Sequence, residues 1–421
     1  MEKFVIEGGI KLSGKVKISG AKNSALALMP ATLLNSGENI IKNTPEVNDI
    51  YTMIKLLKSI GVEVQFEDHI LKLNTGKITS QTAPYEHVKK MRASVYVMGP
   101  LLSRYGYAKV SLPGGCAWGP RPINLHIESL QKMGANIELD EGYIVAKCKR
   151  LTGNKINFNV SSVGATGNVM MAACLAKGST IISNAAVEPE IILLAEYLQM
   201  MGARINGIGT RTLEIEGVDE LYPSYVTNIC DRIEAGTLLI AALLTGGNIT
   251  IEYPNAEHLE SLYIKLEESG ANIIKNSKLI TITSENDVVN SVDVSTGVFP
   301  GFPTDLQAQW TALMTLANGT STVTDTIYID RFKHVPELNR LGADIEILNN
   351  SAVIKGVKSL KGAKVMSTDL RASASLVIAG LRAEGITEVL RIYHIDRGYE
   401  KIEEKLKALG AKIDRVETDE F

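Results

Sequence analysis

The segment LQKMGANI at residues 130–137 is one of six similar segments that recur along the 421-residue chain. In each segment an apolar stripe with helical period ends at a glycine, and a short alternating stretch typical of a strand follows. A glycine suits the position just after a helix, where the backbone is often left-handed. Successive glycines are 68 to 73 residues apart, at Gly61, Gly134, Gly202, Gly270, Gly342 and Gly410. This spacing predicts six structural repeats.

A second helix is predicted near the start of each repeat, in a segment that is apolar around most of its circumference. Such a helix should be buried, whereas the amphipathic helix before each repeat glycine should lie in an outer layer. Each repeat then consists of a strand, a buried helix, a strand, an amphipathic helix and two further strands, which is an α/β architecture. The buried helices are expected within residues 21–37, 91–106, 164–178, 232–247, 304–319 and 370–385.

The ends of the chain indicate how the repeats are divided into domains. The sixth repeat lacks its last strand, and residues 3–9 are expected to supply it, while residues 11–20 are expected to open the first repeat. One domain then comprises residues 1–20 and 230–421, and the other, residues 21–229, is inserted into it. The two chain crossings near Gly20 and Asn228 predict a hinge, with a ligand cleft between the domains.

Composition excludes several classes of protein. Lys and Arg total 44 against 47 Asp and Glu, a net charge of −3, and aromatic residues make up 5%, which argues against a nucleic-acid binder. No run of about 18 apolar residues predicts a membrane-spanning helix. The N-terminal sequence MEKFVIEGGI does not resemble a secretory signal. Four irregularly spaced cysteines predict neither a metal site nor a disulfide framework, so we expect a cytoplasmic protein without metal or cofactor.

Charged residues recur at the predicted starts of the buried helices, at Lys22, Arg92, Arg232, Asp305 and Arg371. A positive charge at a helix N-terminus opposes the helix dipole and costs stability, so its repetition favours a binding site for anions. The second helices add cations near their starts, at Arg121, Arg331 and Arg397. Together these residues predict a multiply anionic ligand. For Asp305, a helix cap and a general base are equally good interpretations.

A glycine-rich segment, PGGCAWGPR at residues 113–121, follows a predicted strand. Three glycines and two prolines in nine residues predict a loop, with Cys116 near its tip. A cysteine is most often buried, but one exposed above a cationic pocket would have a lowered thiol pKa and would be reactive. The loop therefore makes Cys116 a candidate catalytic residue.

Eight segments closely resemble the UDP-N-acetylglucosamine 1-carboxyvinyltransferase family, and the similarity extends over the whole chain. They are SGAKNSALAL at 19–28, MRASV at 91–95, LPGGCAWGPRPINLH at 112–126, SVGAT at 162–166, DRIEAGT at 231–237, FPTDLQAQ at 302–309, LRASASL at 370–376 and IYHIDRGYE at 392–400. The resemblance implies two inside-out α/β domains of three repeats each. It also implies transfer of the enolpyruvyl group of phosphoenolpyruvate to the 3′-hydroxyl of UDP-N-acetylglucosamine, in the first committed step of peptidoglycan synthesis.

The same resemblance implies roles for individual residues. Cys116 would be the general acid, a site of covalent adducts and the thiol that fosfomycin alkylates, and Asp305 would be the general base. Lys22, Arg121 and Arg397 would hold phosphoenolpyruvate. The UDP-sugar side would be lined by Asn23, Arg92, Arg121, Pro122, Ile123, Asn124, Leu125, Ser162, Gly164, Asp305 and Ile327.

The chain departs from the family pattern at a few positions. Asn124 stands where the family usually has aspartate, and Ser161 replaces a common lysine, so affinity for the nucleotide is expected to change. Ile329 and Asp330 stand where some members have Glu-Asn. Two alternatives remain: an enolpyruvyl transferase with another acceptor, of the shikimate 3-phosphate type, and a non-catalytic protein that binds the UDP-sugar. The oligomeric state is not predicted.

Overall fold

The computed structural model describes residues 1–89, 91–112, 123–284 and 288–420, apart from the side chain of Arg92. The chain forms two compact units, each with its own hydrophobic core. Unit 1 consists of Met1–Ser19 and Cys230–Phe421, and unit 2 is Gly20–Ile229.

The helices alternate between buried and partly exposed ones along the chain. The α-helices of the described residues are α1 Lys22–Ala31, α2 Asn48–Ile60, α3 Tyr85–Val88, α4 Met98–Tyr105, α5 Asn124–Lys132, α6 Val163–Ala173, α7 Pro189–Met200, α8 Arg232–Thr245, α9 Glu260–Glu268, α10 Gln307–Met314, α11 Val335–Arg340, α12 Leu370–Arg382 and α13 Ile402–Ala408. Short 3₁₀ turns occur at Thr32–Leu34, Arg92–Val97, Ala256–Leu259, Thr304–Leu306 and Ile392–Arg397.

The strands are short, mostly of three to six residues. They are β1 Glu2–Glu7, β2 Ser13–Lys17, β3 Glu38–Lys42, β4 Glu63–Glu67, β5 Ile70–Asn74, β6 Thr82–Ala83, β7 Tyr107–Ser111, β8 Asn136–Asp140, β9 Tyr143–Lys147, β10 Lys155–Asn157, β11 Ser179–Ser183, β12 Arg204–Asn206, β13 Thr212–Glu216, β14 Tyr225–Thr227, β15 Asn248–Glu252, β16 Ala271–Lys275, β17 Leu279–Ser284, β18 Val289–Asn290, β19 Val294–Ser295, β20 Ala317–Asn318, β21 Thr320–Thr324, β22 Asp344–Leu348, β23 Ser351–Lys355, β24 Lys364–Met366, β25 Ile386–Leu390 and β26 Lys412–Glu417.

Six four-stranded sheets share one topology. In the sheet β10-β11-β13-β12, the first two strands are parallel and are joined through the buried helix α6, and the remaining pairs are antiparallel. The others are β14-β3-β5-β4, β6-β7-β9-β8, β2-β15-β17-β16, β19-β21-β23-β22 and β24-β25-β1-β26. The six repeats predicted from the glycine spacing therefore each correspond to one sheet. All six repeat glycines have positive φ, between 91° and 110°, as predicted for residues that follow a helix.

The predicted buried helices form the centre of each unit. In unit 1, α8, α10 and α12 contact one another, and α10 is buried along its whole length. In unit 2, α4 contacts α6, and the 3₁₀ turn Arg92–Val97 contacts both α1 and α6. Because these helices are apolar on all sides, sheets and outer helices must cover them.

The strands at the two chain crossings are exchanged between repeats. We expected residues 11–20 to open the first repeat, and this is wrong: β2 pairs in parallel with β15 of the fourth repeat, with Val16 opposite Ile251. The first repeat is opened instead by β14, in which Val226 lies opposite Ile41. The reason is that each opening strand lies in the unit that the chain is leaving, and only the helix after it belongs to the next unit.

Strand β1 occupies an interior position in the last sheet of unit 1. It is antiparallel to β25 on one side and to β26 on the other, so Phe4 lies opposite both Val389 and Arg415. The Phe4 side chain is fully buried, whereas Val5 on the other face is half-buried. The first strand of the chain is therefore part of the core of unit 1.

Replacing Phe4 with alanine should lower the free energy of unfolding by about 3–5 kcal/mol, because it opens a cavity at an interior strand. Val5→Ala is the control in the same strand and should cost about 1 kcal/mol or less. Urea titration of both variants measures the difference. Equal costs for the two variants would contradict the interior position of β1.

Candidate functional site

Asp305 lies between two arginine side chains in unit 1. It belongs to the 3₁₀ turn Thr304–Leu306 before α10, and its side chain is 25% exposed. Oδ1 accepts a hydrogen bond from Nη2 of Arg331 at 2.7 Å, and Oδ2 accepts one from Nη2 of Arg371 at 2.8 Å. Neither the turn nor α10 receives a side-chain capping hydrogen bond, so the interpretation of Asp305 as a helix cap is wrong.

The two arginine side chains are almost completely buried, at 7% exposure for Arg331 and 5% for Arg371. Burial alone would raise the pKa of Asp305. The charges and hydrogen bonds of Arg371 and Arg331 outweigh that effect and hold the pKa well below its usual range, so Asp305 is ionised. Guanidinium groups are also well suited to bind carboxylate and phosphate groups of a ligand.

Buried Asp325 connects this centre to the turn that contains Ile327. Its Oδ1 accepts hydrogen bonds from the backbone N–H groups of Ile327 at 2.9 Å and Tyr328 at 2.8 Å. Its Oδ2 accepts one from the Thr304 hydroxyl at 2.7 Å, and Thr304 Oγ1 in turn accepts one from Nη1 of Arg331 at 3.0 Å. One buried carboxylate thus holds Ile327, Thr304 and, through Thr304, Arg331 in a fixed relation.

Arg397 reaches the same region through its chain neighbours. It ends the 3₁₀ turn Ile392–Arg397 and is half-buried. Two residues later Tyr399 is buried, and its hydroxyl oxygen accepts a hydrogen bond from Nη1 of Arg371 at 3.2 Å. The segment with Arg397 is therefore attached to the Asp305 centre.

In unit 2, Lys22 is the first residue of α1 and its side chain is 11% exposed. Its Nζ lies 3.3 Å from Oδ2 of Asp49, which is in the first turn of α2 and is also buried. The carboxylate is well placed at a helix N-terminus, whereas the ammonium group is not, so the pair offsets the unfavourable position of Lys22. Asn23 follows it in α1 and is half-buried.

The starts of α5 and α6 lie close together in unit 2. Ile123 precedes α5, and His126 in its first turn is buried, with Nδ1 2.9 Å from Nδ2 of Asn168 in α6. Gly164 lies in the first turn of α6, where an added Cβ would be 3.3 Å from Nε2 of His126. The glycine therefore permits the close approach of the two helices.

The remaining residues of this region differ in their exposure. Ser162 caps α6, because its Oγ accepts a hydrogen bond from the backbone N–H of Ala165 at 3.2 Å. Asn124 is exposed and donates to Oε1 of Glu128 at 3.3 Å, and Leu125 is half-buried. An aspartate at position 124, as in the family pattern, would place two carboxylates four residues apart on α5, which is unfavourable.

Three predicted site residues, Cys116, Arg121 and Pro122, lie outside the described residues, as does the side chain of Arg92. Within the described part of the chain, no group of three or more His, Cys, Asp or Glu side chains is arranged to hold a metal ion. None of the described helices is long and apolar enough to span a bilayer.

The structure brings together Asp305, Ile327 and the segment of Arg397 in unit 1, and Ile123–Leu125 with Ser162 and Gly164 in unit 2. The sequence placed Arg331 and Arg371 among the cations of a predicted anion site, but their hydrogen bonds to Asp305 were not predicted. Asp325 and Tyr399 were missed altogether, because a buried acid and a buried tyrosine in apolar surroundings have no distinguishing sequence pattern. Asp49 could have been found as an acidic residue in the first turn of an amphipathic helix.

Solved structures identify the class of fold. The crystal structure of the enolpyruvyl transferase NikO from Streptomyces tendae matches with a TM-score of 0.89 at 23% sequence identity, over 98% of both chains. EPSP synthase from Acinetobacter baumannii matches with a TM-score of 0.76 at 16% identity, over 99% of this chain and 100% of that one. The chain has the enolpyruvyl transferase fold, which confirms the predicted fold class of two inside-out α/β domains.

Sequence comparison identifies the family. The family model described as EPSP synthase (3-phosphoshikimate 1-carboxyvinyltransferase) matches residues 6–406. The UDP-N-acetylglucosamine 1-carboxyvinyltransferase of Chloroherpeton thalassium is 59% identical over 424 residues, which cover 100% of this chain and 99% of that protein. The protein of the same name from Chlorobium phaeovibrioides is 55% identical over 100% of both chains. The chain belongs to the EPSP synthase family, and its predicted resemblance to the UDP-N-acetylglucosamine 1-carboxyvinyltransferases is confirmed.

Replacing Asp325 with asparagine should lower the free energy of unfolding by about 2–4 kcal/mol, because a buried acceptor of several hydrogen bonds is weakened. Asp293→Asn is the matched control: its Oδ1 also accepts a backbone N–H, from Thr322 at 2.7 Å, but the side chain is exposed. The control should change stability by about 0.5 kcal/mol. Urea titration distinguishes the two, and equal effects would show that Asp325 does not organise its turn.

Proposed function

We propose that this chain transfers the enolpyruvyl group of phosphoenolpyruvate to the 3′-hydroxyl of UDP-N-acetylglucosamine and releases phosphate. The single observation that supports this most strongly is 59% identity over the full length to a relative of that name. On the same basis we assign the reaction to the first committed step of peptidoglycan synthesis, with two small-molecule substrates in the cytoplasm.

The reaction needs an acid and a base. In the addition step a C–O bond forms between the sugar oxygen and C2 of phosphoenolpyruvate, C3 gains a proton, and the hydroxyl loses one. In the elimination step the bond to the phosphate oxygen breaks, C3 returns a proton, and the enolpyruvyl ether forms. We assign the proton donor for C3 to Cys116 and the acceptor of the hydroxyl proton to Asp305.

Asp305 is a weak base while both arginines are hydrogen-bonded to it, because its pKa is held well below the usual range. Phosphoenolpyruvate has two anionic groups that compete for guanidinium hydrogen bonds. An anion that draws Arg331 away from Asp305, while Arg371 stays bound to it, would raise the proton affinity of the carboxylate. We propose that substrate binding activates the base in this way, so that Asp305 becomes basic only when there is a hydroxyl to deprotonate.

We propose that Lys22, Arg121 and Arg397 bind the phosphate and carboxylate of phosphoenolpyruvate. The Lys22 side chain is only 11% exposed and lies at the first residue of α1, where a cation is unfavourable unless it serves to bind an anion. Arg397 is half-buried and lies two residues before Tyr399, whose hydroxyl contacts Arg371. Cations in poorly hydrated positions bind phosphate more strongly than fully exposed ones.

The UDP-sugar is assigned to Asn23, Arg92, the 121–125 segment, Ser162, Gly164, Asp305 and Ile327. The N-terminus of α6, with Ser162 as its cap, presents backbone N–H groups that suit a diphosphate. Ile327 is fixed through Asp325 in the same network as Asp305. This common attachment supports the placement of the sugar hydroxyl near the base.

Purified protein mixed with phosphoenolpyruvate and UDP-N-acetylglucosamine should release phosphate, and Cys116→Ala should lower kcat by about 100-fold or more, because the acid is lost. Cys148→Ala is the control, since that thiol is half-buried and burial raises its pKa. Colorimetric phosphate release measures all three proteins.

The outcomes separate the alternatives. Release that persists in Cys116→Ala would move the proton donor elsewhere. Release with shikimate 3-phosphate and none with the UDP-sugar would establish the other acceptor. Binding of the UDP-sugar without release from either mixture would establish a non-catalytic binding protein.

Replacing Asp305 with asparagine should lower kcat by about 10²- to 10⁴-fold, because the base is lost. Asp344→Asn in β22 is the control, since Asp344 is exposed, and it should leave kcat unchanged.

The pH dependence of the native enzyme gives a second test of the role of Asp305. The acidic limb of kcat/KM reports the free enzyme, where Asp305 has a lowered pKa, so this limb should lie well below the usual range of an aspartate. The acidic limb of kcat reports the complex and should lie at higher pH, because Arg331 is then drawn to substrate. Coinciding limbs would contradict activation by substrate.

A further inference from the structure

Tyr399 has a hydroxyl group at which the three buried helices of unit 1 meet. Its oxygen lies 2.8 Å from Oγ1 of Thr237 in α8, 3.1 Å from Nε2 of Gln309 in α10 and 3.2 Å from Nη1 of Arg371 in α12. Each helix belongs to a different repeat. All four side chains are buried, with Gln309 fully inaccessible and Tyr399 2% exposed.

The direction of each hydrogen bond follows from the donors that are present. Arg371 and the amide nitrogen of Gln309 can only donate, so the Tyr399 oxygen is the acceptor in both contacts. The Gln309 nitrogen shares its two hydrogens among three acceptors, because it also lies 3.0 Å from Oγ1 of Thr237 and 3.1 Å from the backbone oxygen of Asp305. Thr237 donates its own proton to the Ile233 carbonyl at 2.8 Å. The Tyr399 proton is therefore donated to Thr237.

Burial raises the pKa of Tyr399, and this outweighs the opposing effect of Arg371, so the phenol keeps its proton and the pattern of hydrogen bonds persists at neutral pH. The hydroxyl thus accepts a hydrogen bond from Arg371 and donates its own proton to Thr237, which restricts its orientation. A hydroxyl with a restricted orientation in turn restricts the groups that are hydrogen-bonded to it.

The Tyr399 hydroxyl holds the guanidinium group of Arg371 by a hydrogen bond. Nη1 is bonded to Tyr399 and Nη2 to Oδ2 of Asp305, and the planar guanidinium makes the direction of one N–H depend on the other. The Arg371 guanidinium carbon also lies 5.6 Å from the centre of the Tyr399 ring. Loss of the hydroxyl alone would leave this ring contact in place but remove the anchor of Nη1.

We infer that Tyr399 is a positioning residue for the reaction: its hydroxyl fixes Arg371 and, through it, orients the carboxylate of Asp305. This inference rests on the proposed function for its effect on turnover. In the proposed reaction, Tyr399 contacts none of the reacting atoms. Three repeats of the fold thereby contribute to the orientation of one base.

The test compares Tyr399→Phe with a matched tyrosine. Tyr263 is also buried in unit 1, and its hydroxyl makes no hydrogen bond, so Tyr263→Phe removes the same atom without removing an anchor. Tyr399→Phe should lower kcat about 10- to 100-fold, the usual effect of losing a hydrogen bond to a charged group, whereas Tyr263→Phe should leave kcat unchanged. KM for the UDP-sugar should change much less than kcat in Tyr399→Phe, since Asp305 is only one of the residues assigned to the sugar, and should stay unchanged in Tyr263→Phe.

A double-mutant cycle tests whether Tyr399 acts through Arg371. If it does, Tyr399→Phe should lower kcat by no more than about twofold in an Arg371→Lys background, because lysine cannot span both partners. Multiplicative losses in the double variant, an unchanged kcat in Tyr399→Phe, or an equal loss in Tyr263→Phe would each overturn the inference.

A structural measurement keeps the inference separate from the proposed function. In a crystal structure of Tyr399→Phe, Nη2 of Arg371 should no longer lie within hydrogen-bonding distance of Asp305 Oδ2. An unchanged contact would overturn the positioning role whether or not the enzyme turns over. Absence of phosphate release by the native protein would overturn the proposed function alone.

A second variant covers the case in which Tyr399→Phe does not fold. Thr237→Val removes the acceptor of the Tyr399 proton and should lower kcat by less than Tyr399→Phe would. An unchanged kcat in Thr237→Val would overturn the inference.

Discussion

The burial of apolar helices at the centre of each unit is the constraint on which the rest of the structure depends. Every residue of α8 from Ile233 to Thr245 is buried, and α10 and α12 are enclosed almost as completely. Polar groups in the first turns of these helices lose contact with water and must bond to one another. The network of Asp305, Arg371 and Tyr399 is a consequence of this burial. The same packing that forms the core therefore creates the dense polar centre.

The sequence predicts the repeated parts of the fold well, because each repeat contains the same local signals. The glycine after each outer helix, such as Gly61 with φ 110°, requires a backbone conformation that few other residues adopt easily. The pairing of β2 with β15 is different in kind. Residues 13–17 have the pattern of a strand, but nothing in them specifies which repeat they join, since that depends on where the chain passes from one unit to the other. Local sequence patterns determine where helices and strands form, whereas the places where the chain passes from one unit to the other determine which strands pair.

The candidate site could be predicted only in part, for a related reason. Asp305 was recognisable as the one carboxylate at a position where other repeats have cations. Its partners Arg331 and Arg371 are 26 and 66 residues further along the chain. No spacing rule links them, because they meet through the packing of different repeats. Tyr399 is a still harder case: a tyrosine near apolar residues is usually read as core, and only its three hydrogen-bond partners distinguish it.

The repeats share apolar buried helices but differ in the residues of the first helical turn. The bodies of the buried helices must stay apolar, but their first turns vary: α1 begins with Lys22, α6 with the Ser162 cap, and α12 with the Asp369 cap and Arg371. The first turns therefore present different chemistry from one repeat to the next. The enolpyruvyl transferase NikO shares the fold with a TM-score of 0.89 at 23% identity, so the fold is compatible with extensive sequence change. The choice of acceptor must therefore be argued from the first turns and the loops beside them, since the fold is compatible with several.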